Sequence, residues 1–351
     1  MRQPTLNARS PHFAFRTVRA FRPWLAGLAS IVLTLCATVA TAEWHEGTES
    51  YMGTRVHVEV WSEDATAARA GIAAVMAEMD RIEKMMSPML ESSALSRLNR
   101  EGATHPVAVP PELFEVVQRS LEVSALSGGA FDVTFASVGR HYDYRAERRP
   151  DAATISSALP AIDYRHLQLD AAASTIAFAR AGVYVDLGGI AKGYAVDRGI
   201  ALLRARGFTE MLVNAGGDTR LVGDRHGKPW VIGIRNPDGG DRPAAVLPLE
   251  NVAVSTSGDY ERFFDEGGTR YHHIIDPKTG DSARAVRSVT IIGDNATWTD
   301  ALSTTVFVLG AEKGLALVNR LGNVDAVIVD REGRLLYSDS LTDVRPTARA
   351  P

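Results

Sequence analysis

VYVDLGGIAKGYAVD (Val183–Asp197) reads as a short β-type run, a double-glycine turn and the opening of a helix. The amphipathic segment that it opens ends near Gly207. Glycines at such a turn let backbone approach a ligand closely, and the first N–H groups of the helix are free to bind anionic oxygen. Lys192 adds a compact positive charge suited to phosphate. The stretch is neither GxxxxGK[ST] nor GxGxxG, so alone it fits a tight turn with a solvated lysine equally well.

The elements on either side decide the fold class. Upstream, Thr54–Trp61 alternates with period two, as a strand does. Asp64–Met86 carries an apolar helical stripe of Ile72, Val75, Met76, Met79, Ile82 and Met86. Ser92–Arg100 is a short helical turn, and Pro110-Pro111 opens a helix stopped by Gly128-Gly129. Residues 139–163 form a charged connection without a clear period.

Downstream, strands are expected at Met211–Asn214, Trp230–Ile234, Ala244–Leu249, Val252–Ser255, Tyr271–Ile275 and Ser288–Ile292. Helices follow from about Thr299 to Leu309 and from Glu312 to Leu321. A last hairpin pairs Ala326–Val329 with Arg334–Tyr337. Strands outnumber βαβ units, which predicts an α+β fold of largely antiparallel sheets flanked by helices. It occupies one large catalytic domain over residues 43–340, with a polar tail at 341–351.

The amino terminus stands apart. Residues 1–42 hold five arginines and no acidic residue, an apolar run from Trp24 to Ala40, and Ala40-Thr41-Ala42 before Glu43. That is the pattern of a secretory signal cleaved after Ala42, with an uncleaved inner-membrane anchor as the alternative. Cys36 is the sole cysteine, so a cleaved protein has no disulfide, thiolate catalyst or cysteine-ligated zinc. Removing those five arginines takes the net charge from −4 to −9 for the 309 residues that follow. Such an acidic protein is a poor binder of nucleic acid.

Five turns rich in glycine or carboxylate end apolar runs: GGAFD (128–132), DLGGIAKG (186–193), NAGGD (214–218), STSGDYER (255–262) and HHIIDPKTG (272–280). Together they suggest a polyanionic ligand approached by backbone N–H groups. Asp300 and Thr304, four apart on one helix face, pair a carboxylate with a hydroxyl, a donor set for Mg²⁺. Alternatively Asp300 caps that helix and Thr304 is ordinary. His272 and His273 end a strand, so in strict alternation only one faces inward. GxSxG, HExxH and zinc-spaced histidines are absent from the sequence.

In order and wording these motifs, with FDVT, DLGGIAKGYAVD and TDALSTTVFVLG, resemble the ApbE family of flavin transferases, from Met52-Gly53-Thr54 through Gly310. The resemblance implies transfer of the FMN half of FAD to a threonine of an acceptor flavoprotein, with Mg²⁺ and release of AMP. Acceptors implied are subunits of Na⁺-translocating quinone reductase or Rnf-type complexes, or secreted flavin-bearing domains, reached in the periplasm. Carried over by position, Met52, Ser87, Ala130, Phe131, Asp132, Asp186, Lys192, His273 and Ile274 are expected to contact FAD. Gly189 (carbonyl), Asp300 and Thr304 are expected to hold the metal. His273 is the expected catalytic base, with Asp300 second.

The chain departs from the family pattern at 136–150, ASVGRHYDYRAERRP, near the expected flavin ring or acceptor. Lys278 stands where arginine is common, which keeps the charge and loses a bidentate fork. Two other readings stay open: a Mg²⁺-dependent FAD pyrophosphatase, and a secreted flavin-binding protein without turnover. The Asp300/Thr304 pair argues against the latter, because FAD can be held without a metal.

Overall fold

The computed structural model describes residues 42–240 and 242–342. The expected signal segment up to Thr41, and the tail beyond Thr342, therefore lie outside the described residues. Strands β1 (Glu43–Tyr51) and β2 (Thr54–Ser62) form a hairpin. Its turn residues, Met52 and Gly53, have φ of +54° and +69°, the two-residue turn that matches strand twist. Helix α1 (Ala65–Met86) is capped by the Asp64 carboxylate and buries the predicted stripe. After it come α2 (Ala94–Glu101), β3 (Val107–Ala108) and α3 (Pro111–Leu126), which opens on Pro111.

Two short helices, α4 (Ala136–Gly139) and α5 (Ala152–Ala158), precede the hairpin of β4 (Leu167–Asp170) and β5 (Thr175–Phe178). The helix of the double-glycine turn is α6 (Ala191–Ala205). Strands β6 (Met211–Ala215), β7 (Asp218–Val222), β8 (Trp230–Ile234), β9 (Ala245–Leu249) and β10 (Ala253–Gly258) follow. Next come β11 (Phe263–Glu266), β12 (Thr269–His272) and β13 (Ser288–Gly293). The chain closes with α7 (Ala296–Leu309), α8 (Ala311–Leu321), β14 (Asp325–Val329), β15 (Leu335–Tyr337) and α9 (Asp339–Thr342).

The centre is an eight-stranded sheet in the order β1-β2-β6-β7-β10-β13-β14-β15. Its ladders, and those of the three smaller sheets, are antiparallel among the described residues. The α+β expectation holds. Val56, Val58 and Val60 alternate inward to a core shared with α1 and α6, while Leu212 and Leu221 meet Trp230 on a separate cluster. Helix α7 packs over β10 and β13, so α6 and α7 lie side by side. No helix among the described residues is long and apolar enough to cross a membrane.

Several expected elements differ. Val183–Val185 is not a strand, because its backbone is satisfied elsewhere. The Asn99 side chain bonds both polar groups of Val185, at 2.7 and 2.9 Å, and Ser137 takes the Tyr184 N–H at 2.9 Å. Helix α7 begins at Ala296, not Thr299, because Asn295 caps it at the Trp298 N–H. Asp300 is thus one turn inside and caps nothing on its own helix. The strand expected over Tyr271–Ile275 ends at His272. The connection at 139–163 holds α5 and two aromatic residues that reach across the fold.

Candidate active site

Helices α6 and α7 cross without room for a side chain at Gly193. A Cβ there would lie 2.1 Å from the Ala296 carbonyl oxygen and 2.8 Å from the Asp300 Cβ. Each helix then supplies a carboxylate to the start of the other. Asp197 of α6 accepts the Ala296 and Thr297 N–H groups at 2.9 and 2.8 Å. Asp300 of α7 accepts the Gly193 N–H at 3.0 Å. Anions are favoured at helix N-termini, so the anionic oxygen at this end of α6 is the protein's own.

Lys192 lies between two buried carboxylates. Its Nζ is 2.6 Å from Asp218 Oδ2 and 3.3 Å from both oxygens of Asp300. Burial opposes the ammonium, but Asp218 and Asp300 outweigh it and hold the lysine pKa above its ordinary value. Burial and the like charge of Asp218 push Asp300 up to about 7, against Lys192 and the Gly193 N–H. Thr304, one turn along α7, has its Oγ1 3.3 Å from Ser257 Oγ on β10. Gly189 is pressed against both, since a Cβ there would lie 3.3 Å from Thr304 Oγ1 and 3.2 Å from the Phe131 ring. The structure therefore brings Gly189 against Thr304 and Phe131, with Asp300 one turn before Thr304 on α7.

The strand ends at His272, so alternation does not separate the two histidines; they differ in their hydrogen bonds. His272 is buried, with Nε2 donating to the Ala283 carbonyl at 2.7 Å and Nδ1 accepting the Ile274 N–H at 3.3 Å. Burial holds its pKa down to about 4. His273 Nδ1 is buried with no hydrogen-bond partner. Burial, with His272, Arg262 and Lys192 behind it, pushes its pKa down to about 3, so the ring is neutral. Asp186 is raised by burial, against the Gly188 N–H that it accepts at 2.7 Å and the charges of Arg262 and Lys192.

Other expected contacts take more structural positions. Both Asp132 oxygens are used, one by Thr134 N–H and hydroxyl at 2.8 and 2.6 Å, the other by Tyr164 N–H at 2.7 Å. Ala130 and Phe131 are buried beside it. Asp132 also borders an open cleft of about 410 Å³ between Gly128-Gly129, Tyr164 and Pro277-Lys278. Its walls include none of Lys192, Asp300 or Thr304. Ile274 packs its side chain under α7, and its N–H and carbonyl are both paired. Ser87 ends α1, and the adjoining Pro88 carbonyl takes the Tyr184 hydroxyl at 3.2 Å, which ties that loop to the segment before Asp186.

Three residues were not singled out from the sequence, although each lies in a quoted motif: Asp218, Ser257 and Arg262. Arg262 sits over the Met52-Gly53 turn, its Nη2 3.2 Å from where a Gly53 Cβ would be. Its carbonyl accepts the His273 N–H at 3.1 Å. Met52, Asp186, Lys192 and His273 thus share one cationic neighbourhood. The divergent 136–150 segment supports the histidine loop: Tyr144 donates to the His272 carbonyl at 3.3 Å, and Tyr142 to the Gly280 carbonyl at 3.1 Å.

The ApbE family model matches residues 52–328, which spans this whole arrangement. The chain belongs to the ApbE family. It is 34% identical over 342 residues to the FAD:protein FMN transferase of Treponema pallidum, covering 91% of this chain and 94% of that one. Its fold matches the crystal structure of the ApbE protein of Thermotoga maritima, with a TM-score of 0.79 at 34% identity, covering 86% of this chain and 98% of that one. The flavin transferase ApbE of Vibrio cholerae matches with a TM-score of 0.76 at 27% identity, over 86% of this chain and 99% of that one.

Proposed function

We propose that this ApbE-family transferase moves the FMN half of FAD onto a threonine hydroxyl of an acceptor flavoprotein, releasing AMP, outside the inner membrane. The observation that carries the reading is Lys192 held between the buried carboxylates of Asp218 and Asp300, one helical turn from Thr304, which Gly189 touches. A carboxylate, a hydroxyl and a carbonyl are hard oxygen donors that suit Mg²⁺. Asp300 and Asp218 place two buried carboxylates beside the single ammonium of Lys192, an excess of negative charge that a divalent cation fitting this donor set would relieve. Gly189, Asp300 and Thr304 would hold it, and once bound it would neutralise charge on the diphosphate.

The chain's own groups account for the remainder. Lys192 and Arg262 supply positive charge on the side where Asp186 and His273 lie. The acceptor threonine oxygen bonds to the FMN-side phosphorus while the bond from that phosphorus to the AMP oxygen breaks. The threonine proton passes to the neutral imidazole of His273. A ring with so low a pKa is a weak base in the free protein, and the negative charge of bound substrate raises it toward a working value.

The test is incubation with FAD, Mg²⁺ and a candidate acceptor domain, for example a subunit of a Na⁺-translocating quinone reductase. AMP release together with flavin fluorescence on a denaturing gel is the expected result. AMP with free FMN would instead make the protein a pyrophosphatase, and no AMP would make it a flavin binder.

A further inference from the structure

The outer face of the first hairpin carries a second constellation of ligand-bearing side chains. In the β1–β2 register Glu46 stands opposite Glu59 and Thr48 opposite His57. These side chains share the face turned away from Val56, Val58 and Val60, so they lie across the sheet from the core that α6 shares. His57 Nε2 is 3.2 Å from Glu59 Oε1 and 4.0 Å from Glu46 Oε2. One ligand atom from each of the three residues lies within 4.8 Å of the others.

We propose that Glu46, His57 and Glu59 bind one divalent transition-metal ion of the zinc type. Tetrahedral zinc, with bonds of about 2.1 Å, sets its ligand atoms about 3.4 Å apart. The His57–Glu59 spacing already meets that value. Glu46, whose side chain is 74% exposed, is free to swing the remaining distance. A water completes the four-coordinate set, and an imidazole donor selects a transition metal over Mg²⁺ or Ca²⁺.

The groups behind the ligands are also in place. Without metal, His57 Nε2–H donates to Glu59 Oε1 at 3.2 Å and Nδ1 accepts from Thr48 Oγ1 at 2.7 Å; a metal would take Nε2 in place of its proton, and the Thr48 hydroxyl can then rotate to accept from Nδ1–H. Glu59 Oε2 is held by Arg225 at 2.8 Å, and that guanidinium lies 5.1 Å from the rings of both Trp44 and Trp230. Only Glu59 Oε1 is left to face His57 and Glu46. Two carboxylates directly opposite in a ladder repel each other. Arg225 serves one of them, and a cation between the pair would satisfy both and fasten the edge strand β1 to its neighbour.

The test uses chelator-treated full-length protein in excess Mg²⁺, titrated with Zn²⁺ by calorimetry and with Co²⁺ by visible absorption. One Zn²⁺ per chain is expected, with a rise in Tm. Affinity should fall more than about tenfold in His57→Gln and in Glu59→Gln, and several-fold in Thr48→Val, whose ligands are intact. Asp300→Asn should retain the site. Absence of zinc binding at micromolar metal would overturn the proposal, as would affinity unchanged in His57→Gln or lost in Asp300→Asn. Metal-free unfolding curves of the variants show that they fold.

Discussion

Replacing Lys192 with methionine tests whether the buried charge cluster is held together by that one ammonium. The substitution keeps an unbranched side chain, one atom shorter, and removes its charge. Asp218 and Asp300, both 2% exposed, then face each other without a cation between them. Removing one partner of a buried ion pair costs about 3–5 kcal/mol, most of it from the charge left behind. Asp300, already up at about 7, can take a proton near neutrality at small cost. The burden therefore falls on Asp218, and the lower end, about 3 kcal/mol, is expected. Adding Asp218→Asn removes the stranded charge, so the double variant should recover at least about half of the loss, a coupling of the size seen for residues in contact. Urea unfolding of wild type, both single variants and the double variant, followed by tryptophan fluorescence without metal, closes the cycle. A Lys192→Met loss below about 1 kcal/mol, or a double variant no better than the single, would refute the reasoning.

Three further outcomes are expected. His272 has its pKa held down to about 4 from 6.5, so the unfolded chain binds its proton more tightly and the stability it protects is present above about 6.5. That stability is lost as pH falls toward 4, by up to about 1.4 kcal/mol per pH unit, and His272→Gln should flatten the slope of denaturation midpoints in that window. Gly193→Ala must force apart α6 and α7, because the new Cβ meets a backbone carbonyl; a loss of about 3 kcal/mol in urea unfolding is expected. His273→Ala should leave FAD binding, measured by flavin fluorescence, nearly intact while abolishing AMP release; unchanged turnover would remove the residue from the chemistry.

Periodicity made the helices and buried strands readable, since α1 and β2 each carry an apolar pattern that only one secondary structure explains. Strand β1 carries none. EWHEGTESY is mostly polar at the edge of the sheet, and its pairing comes from the hairpin turn. Val183–Val185 misled for the opposite reason: its β-branched residues suit an extended chain, but its partners are the side chains of Asn99 and Ser137, distant in sequence. At the site, the Gly189–Asp300–Thr304 grouping was carried by motif resemblance, and the packing places Gly189 against Thr304, one turn from Asp300. Asp218 and Arg262 were hidden because each ends a turn that reads as structural until Lys192 and His273 are seen beside it.

The glycines of the double-glycine motif also change meaning. Read alone, they clear space for a phosphate at a helix N-terminus. In the fold, Gly193 clears space for α7, and the N–H that it exposes is taken by Asp300. The crossing is what brings two motifs, more than a hundred residues apart, to one point. It carries the Gly189 loop against Thr304 and the Lys192 ammonium between two carboxylates in a single packing event. A substitution that loosens the crossing must therefore degrade the placement of Asp300, Thr304 and Gly189 together with stability. The outer face of the β1–β2 hairpin lies beyond that crossing. Gly193→Ala protein that still folds should consequently lose the Asp300 arrangement while keeping the histidine–glutamate cluster of Glu46, His57 and Glu59.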